Sequence, residues 1–254
     1  MKLLFAVLLA TAAAARLDAA MASTYKTLAA HLLSRQPEQP SGAAHWVAIA
    51  GGPGAGKSTL AEEVAKLVNE EAKDEICVVL PMDGFHFARD QLRALDPPDA
   101  AAYLPRRGSP WTFDAEGCFE CLAKAKRDGE ATLPTYSREI QDPVPGGVQL
   151  RPHHTLVLVE GNYLLMNGPQ HDRGRWMPLD ALWDERWFVR CSDAAAQRQR
   201  VITRHWESDW SEEQDRVWGP GLEGAAKRAD ANDVLNMELI APTEEYAERV
   251  ILSL

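Results

Sequence analysis

Three stretches carry residue types that can do chemistry together. In "GGPGAGKSTLAEEVAKLV" the pattern Gly51-x-x-x-x-Gly56-Lys57-Ser58 follows the apolar run "WVAIA". Glycines there let successive backbone N–H groups turn inward round an anion, and the helix that follows adds positive potential at its N-terminus. Lys57 then reaches the outer phosphates of a nucleoside triphosphate, and the Ser58 hydroxyl ligates Mg²⁺. Gly51, Gly52, Pro53, Gly54, Ala55, Gly56, Lys57, Ser58 and Thr59 are the expected nucleotide-holding residues. In "VVLPMDGFHF", Asp83 sits just past a strand, where a carboxylate can accept the proton of an alcohol during phosphoryl transfer. An Asp-Gly pair also simply starts turns, so the spacing alone leaves both roles open. "LVLVEG" ends the most apolar strand on Glu160, from which a carboxylate can hold Mg²⁺ through water. A charge at such a strand end is costly unless it is exposed or has a function.

Basic and aromatic residues supply the rest of a candidate site. Arg198, Arg200 and Arg204 share one expected helix, with Arg200 and Arg204 one turn apart on the same face. Their guanidinium groups can close over phosphates and neutralise transition-state charge. The alternative is a solvated basic face paired with the acids of "ESDWSEE". Arg106, Arg107, Tyr136 and Arg138 are candidates for an acceptor pocket, since arginines and aromatics suit a polar or anionic small molecule; each can equally serve structure. His86 is either a substrate contact or a packed histidine. Trp111 and Phe113 read as packing residues.

The elements that must position these groups alternate. An amphipathic helix, "YKTLAAHLLSR", leads into the strand "HWVAIA", the glycine loop and a helix from about Lys57 to Glu71. A strand "EICVVLPMD" and a polar stretch from Gly84 to Phe113 follow. Next comes the helix "DAEGCFECLAKAKRDG", with Asp114 as N-cap and Gly129 past its end. "ATLPTYSREIQDPVPGG" reads as strand fragments and turns. The run ending at Glu160 is apolar enough to be buried on both faces of a parallel sheet. "RWFVRC" is a further strand, "DAAAQRQRVITRHWES" a basic helix, and the tail a helix, a turn and a last strand. Alternation of this kind predicts a three-layer α/β/α fold with a mainly parallel, doubly wound sheet. Ligands in such sheets sit beyond the C-terminal strand ends, so one crevice gathers Lys57, Asp83 and Glu160.

The chain has 254 residues, 46% hydrophobic, without repeats or a long linker after position 45, which suits one α/β domain. Its net charge of −10 (27 basic against 37 acidic residues) argues against a broad nucleic-acid or anionic-membrane surface, while local anion sites stay open. Cys118 and Cys121 form a lone C-x-x-C at one-turn spacing on a helix, which reads as two packed positions. Residues 1–20 look like a secretory or organelle-targeting leader, too short to span a bilayer comfortably. Met21 as the initiator is the competing reading. The domain is then 22–254, cytoplasmic if translation starts at Met21 and secretory-routed or organellar if the leader is real, with no membrane insertion of the mature domain. Oligomeric state is not legible.

The combination of "GGPGAGKSTLA", "LPMDGFHF", "RRGSPWTFD", "PTYSREIQDPV", "LVLVEGNYLL" and "NDVLNMELI" resembles the P-loop kinase superfamily of uridine kinase, phosphoribulokinase and type I pantothenate kinase. Within it, the resemblance is nearest to the sugar-kinase-like branch that includes a kinase associated with fructose transport. It runs from about Leu28 to the C-terminus. The resemblance implies a small-molecule kinase using ATP and Mg²⁺, with a helical lid at about 194–230. Asp83 would be the base, Glu160 the acid ending the Walker B-like strand, and Arg200 and Arg204 the lid arginines. Asn232 and Asn236 would lie near the adenine. "RHWESDW" departs from the glycine-bearing lid expected after those arginines. The residues themselves also admit a nucleotide-binding regulatory ATPase or switch acting on a protein. Against it, no N-K-x-D signature and no glutamine placed to position a water occur. A catalytically silent relative is a third reading.

Overall fold

The structure, a computed structural model, describes residues 20–35, 43–94, 103–137, 139–168, 172–208 and 211–254. The proposed leader lies outside them except for Ala20, which opens helix α1 (20–35). Helix α1 starts at Ala20, two residues ahead of the expected domain boundary at Ala22, and its Met21 and Tyr25 are buried. Among the described residues no helix is long and apolar enough to cross a membrane.

After α1 come β1 (His45–Ala50), α2 (Lys57–Ala72), β2 (Cys77–Pro81) and the short α3 (Arg89–Ala94). Then follow α4 (Ala115–Asp128), the strands β3 (Ala131–Ser137) and β4 (Asp142–Leu150), β5 (Leu156–Glu160) and β6 (Glu185–Cys191). The segment expected to form the lid holds α5 (Ala194–Ser208), α6 (Glu212–Trp218) and α7 (Gly221–Arg228). A π-helical turn (Ala229–Asp233), α8 (Val234–Ile240) and β7 (Arg249–Ser253) close the chain.

Five strands form one sheet in the order β2-β5-β1-β6-β7, every pairing parallel. The two strands buried at every residue, β1 and β5, lie at its centre, as their unbroken apolar runs predict. Alternate residues of β1 feed two separate cores. Val47 and Ile49 face Leu60, Val64 and Val68 of α2 together with Leu28 and Leu32 of α1. Trp46, Ala48 and Ala50 face Cys118, Leu122 and Ala125 of α4. The layers are therefore α/β/α. Cys118 and Cys121 are free thiols on α4; Cys118 packs in the core and burial pushes its pKa up. The α4 helix begins and ends where the sequence places it: the Asp114 carboxylate accepts from Gly117 N at 2.9 Å, and Gly129 turns left-handed at φ 72°.

The strand fragments before β5 pair with each other as an antiparallel hairpin, separate from the main sheet, with a register shift between Leu133 and Thr135. This hairpin packs on the 3₁₀ turn Met82–Phe85 that carries Asp83. A Cβ on Gly84 would lie 2.1 Å from the Pro134 carbonyl oxygen, so only glycine lets strand and turn approach this closely. Gly84→Ala is expected to cost about 1–3 kcal/mol by overpacking, measured as a lower thermal midpoint.

Candidate active site

Register explains why three distant segments meet. Glu160 of β5 is the neighbour of Ile49 in β1 and of Pro81 in β2. The glycine loop leaves β1 one residue after Ile49's neighbour Ala50, and Asp83 lies two residues past Pro81. All three strand ends thus open into one cleft of about 140 Å³, walled by Pro53, Lys57, Ser58, Asp83, Glu160 and Asn162 on one side and Arg204, Arg228, Asn232 and Asn236 on the other.

The loop is shaped by glycine at one position above all. Gly54 has φ +73°, and a Cβ there would meet the Gln197 carbonyl oxygen at 2.9 Å and Val201 Cγ2 at 2.8 Å. α5 therefore presses directly on the loop, and the Gln197 amide donates to the Pro53 carbonyl oxygen at 2.8 Å. Lys57 is buried at the first turn of α2. Its ammonium donates to Asn162 Oδ1 at 2.7 Å and to the Gly52 carbonyl oxygen at 3.2 Å. Burial pulls the Lys57 pKa below its ordinary value, against the attraction of Glu160 and Asp83, and Arg204 pulls the same way as burial. Burial also pushes the Glu160 carboxyl up to about 7, opposed by Lys57 and by the Ser58 hydroxyl, which hydrogen-bonds to it. A carboxylate and a hydroxyl held together beside a phosphate loop are the oxygen donors a hard divalent cation takes.

Asp83 is half-buried in the 3₁₀ turn, and its charge is felt at both Lys57 and Glu160. Beside it His86 donates from Nδ1 to the Asp83 carbonyl oxygen at 2.8 Å and stacks at 3.8 Å on Phe113 and 4.8 Å on Tyr136. Burial lowers its pKa, so the ring is neutral and Nε2 is left as an acceptor.

Among the described residues, two wider clefts share wall residues with this centre. On the Thr59 side of the loop, about 360 Å³ is enclosed by Met21 and Tyr25 of α1, Gly56, Thr59, Arg200, Arg204 and the Ser253–Leu254 end. On the Asp83 side, about 330 Å³ is enclosed by His86, Arg107, Tyr136, Arg228 and Asn232 with residues of α3 and α6.

The structure separates the basic residues that the sequence groups together. Arg198 pairs with Asp230 at 2.7 Å on the surface. Arg200 braces the outside of the glycine loop, donating to Gly54 O at 3.4 Å, to Ser253 Oγ at 3.2 Å and to the Leu254 carbonyl oxygen, and does not line the cleft of Asp83. Arg204 lines both the central cleft and the Thr59-side cleft. Arg107 lines the Asp83-side cleft, bound to Asp142 at 2.7 Å and lying over the Tyr136 ring. Arg106 lines neither cleft; it donates to Ser109 and Asn236 and rests over Trp111. Asn232 and Asn236 fall in the central cleft, across the loop from Thr59. Their amides donate to the carbonyl oxygens of Arg107 at 2.7 Å and Gly108 at 3.2 Å. That is a loop-fastening position on the Asp83 side, away from the Thr59-side cleft. Arg138 lies outside the described residues.

Sequence reasoning missed Asn162 and Arg228. The first was legible in principle as the polar residue two past Glu160 in "VEGNY". The second sits in "AAKRADAN", just ahead of "NDVLNMELI" but in none of the quoted motifs, and only the packing of α7 brings it in. Glu75, His153 and His154 also approach within 4.8 Å of one another, at the opposite ends of the strands. His154 Nδ1 accepts the Arg151 N–H at 2.9 Å, which leaves the proton on Nε2 and makes His154 a poor metal ligand.

No family model matches the sequence. The chain is 34% identical over 196 residues to "Putative uridine kinase C227.14" of Schizosaccharomyces pombe, across 76% of this chain and 77% of that protein. It is 37% identical over 129 residues to "ATP-dependent kinase-like protein notR'" of Aspergillus versicolor, across 49% of this chain and 70% of that one. Its fold matches the crystal structure of a "putative fructose transport system kinase" from Silicibacter sp. TM1040 with a TM-score of 0.71 and 28% identity, over 89% of this chain and 98% of that one. With the phosphate loop at the end of β1 and two carboxylates at the neighbouring strand ends, these likenesses have one meaning: the chain belongs to the P-loop small-molecule kinases of the uridine kinase, phosphoribulokinase and pantothenate kinase superfamily.

Proposed function

We propose that the protein transfers the γ-phosphate of ATP to a hydroxyl of a small-molecule acceptor. The observation that carries this is the placement of Asp83, half-buried in the same cleft as Lys57 and Glu160, with an open pocket beyond it. The acceptor hydroxyl oxygen attacks the γ-phosphorus, the bond from that phosphorus to the β,γ-bridging oxygen breaks, and ADP leaves. The hydroxyl proton passes to the Asp83 carboxylate. Lys57, steadied by Asn162, and Arg204 offset the charge on the phosphoryl oxygens. Ser58 and Glu160 are the residues that would hold Mg²⁺, which when bound neutralises the phosphates. The Thr59-side cleft takes the nucleoside, with Met21 and Tyr25 against it. Closure of α5–α7 keeps water from competing with the acceptor.

ADP release by the purified chain with Mg-ATP, across nucleosides, sugars, sugar phosphates, pantothenate and glycerate, tests this reading beside Asp83→Asn. Stimulation by one acceptor that the variant loses supports it. A flat panel with intact ATP binding, and a partner affinity that changes with the nucleotide, would favour the regulatory switch instead.

A further inference from the structure

The cleft on the Asp83 side has a polarity that the phosphotransfer reading does not require. Its wall carries four guanidinium groups: Arg89 and Arg93 from α3, Arg107 from the loop before the 3₁₀ turn at Pro110, and Arg228 from α7. Among the described residues no carboxylate lines it. Asp142 and Asp90 pair with Arg107 and Arg93 at 2.7 Å each, yet neither lines the cleft. In a chain of net charge −10, this is a local concentration of cationic side chains. The inner end is different. There His86 and Asp83 offer acceptors, Nε2 and a carboxylate, which suit a hydroxyl and repel an anion. His86, Arg107, Arg228 and Asn232 line both spaces, so a small molecule can reach from one to the other.

We propose that the acceptor is an anionic hydroxy compound, its carboxylate or phosphate ester gripped by Arg89, Arg93, Arg107 and Arg228 and its hydroxyl turned to Asp83. This deepens the kinase reading and rests on it. Guanidinium forks bind either oxyanion through paired N–H donors, which a neutral sugar or nucleoside cannot exploit. The arrangement also fixes which end of the acceptor meets the phosphate. An anion is drawn to the outer arginines and turned away from Asp83, leaving the hydroxyl to face inward. Trp218 and Val217 of α6 border the same space and would cover the carbon skeleton.

The test has two parts, both on the full chain. With Mg²⁺ and a non-hydrolysable ATP analogue filling the phosphate loop, inorganic phosphate and malonate are titrated calorimetrically. Both are expected to bind, and Arg89→Gln/Arg93→Gln to weaken them at least ~10-fold, about 1.4 kcal/mol. Turnover is then compared within matched pairs, glycerate against glycerol and fructose 6-phosphate against fructose. The charged member of one pair is expected to lead in kcat/KM by at least ~100-fold, because a site built for a charged group is left unsatisfied by the analogue lacking it. The pair that responds separates carboxylate from phosphate. In the double variant its KM rises while kcat changes little. Preference for the neutral member, or no dianion binding to the loaded protein, overturns the anionic acceptor and leaves the kinase standing. Arginine-dependent dianion binding with no turnover of any member, nor of any acceptor in the wider panel above, overturns the acceptor role and the kinase reading, while the anion cleft stands.

Discussion

Asp83→Asn is expected to lower phosphoryl transfer about 10²- to 10⁴-fold, the range a positioned general base supplies. ATP affinity should stay within a few fold. The amide keeps the volume of the carboxylate but cannot take the hydroxyl proton. The turn itself should persist, because His86 Nδ1 is held by the backbone carbonyl of residue 83 and Gly84 still allows the close approach to Pro134. Electrostatics point the same way. Asp83 raises the pKa of Glu160 and of Lys57, so its loss makes Glu160 more readily ionised and leaves the cation site at least as charged. Single-turnover transfer at saturating acceptor, beside nucleotide binding by equilibrium titration, separates the two effects. A variant that transfers at the wild-type rate would remove Asp83 from the chemistry.

Glu185→Ala is expected to destabilise the domain by about 3–5 kcal/mol, the cost of breaking one side of a buried ion pair. Glu185 opens β6 at the end of the sheet opposite the active site, with 9% of its side chain exposed. Its carboxylate oxygens accept from His31 Nε2 at 2.9 Å, Arg35 Nε at 3.2 Å, His45 Nε2 at 3.3 Å and Trp187 Nε1 at 2.9 Å. Burial pushes the Glu185 pKa up, but the hydrogen bonds from His45, Trp187 and His31 outweigh it and hold the group well below the usual carboxylate range. The sign of the pH dependence follows from that depression. The stabilisation is complete above the unfolded value of about 4.3 and drains away as pH falls through the acid range toward the folded value. Thermal midpoints of the wild type and Glu185→Gln should therefore begin to draw together as the pH falls below about 4 and meet only toward the folded value. Equal midpoints at neutral pH would show that the cluster contributes nothing. Since His31 and Arg35 belong to α1, the substitution should also loosen the helix that brings Met21 and Tyr25 to the cleft proposed for the nucleoside. A weaker affinity for ATP should accompany the loss of stability.

The parts of the site readable from sequence are those set by contiguous residues or by strand ends. The glycine loop is a local device, and its glycines, Lys57 and Ser58 cannot be rearranged without losing the pattern. Glu160 and Asp83 were legible because a parallel sheet gathers its C-terminal ends on one edge, whatever the spacing between strands. The arginines of α5 were not, because a helical repeat fixes a shared face but not what each turn meets. Arg200 and Arg204 lie four residues apart, about 6 Å along the axis, and that suffices to put one on the loop's outer side and the other over Lys57. Asn232 and Asn236 depend on the π-helical turn Ala229–Asp233. The extra residue in that turn shifts the phase of the helix, which no apolar pattern in "ADANDVLNM" announces. The hairpin of β3 and β4 read as fragments because prolines interrupt both strands and their register slips midway.

The two asparagines have a consequence for how the substrates load. They fasten the segment after α7 to the loop at Arg107 and Gly108, while the same layer of helices bears on the glycine loop through Gln197. Two chambers thus share one wall. On the proposed function, a nucleotide that draws that wall inward would carry Arg107 with it and leave the neighbouring chamber half assembled for its own occupant. Loading either side lowers the entropic toll on the other, so the bound pair should be tighter than the product of the separate affinities, in either order of arrival.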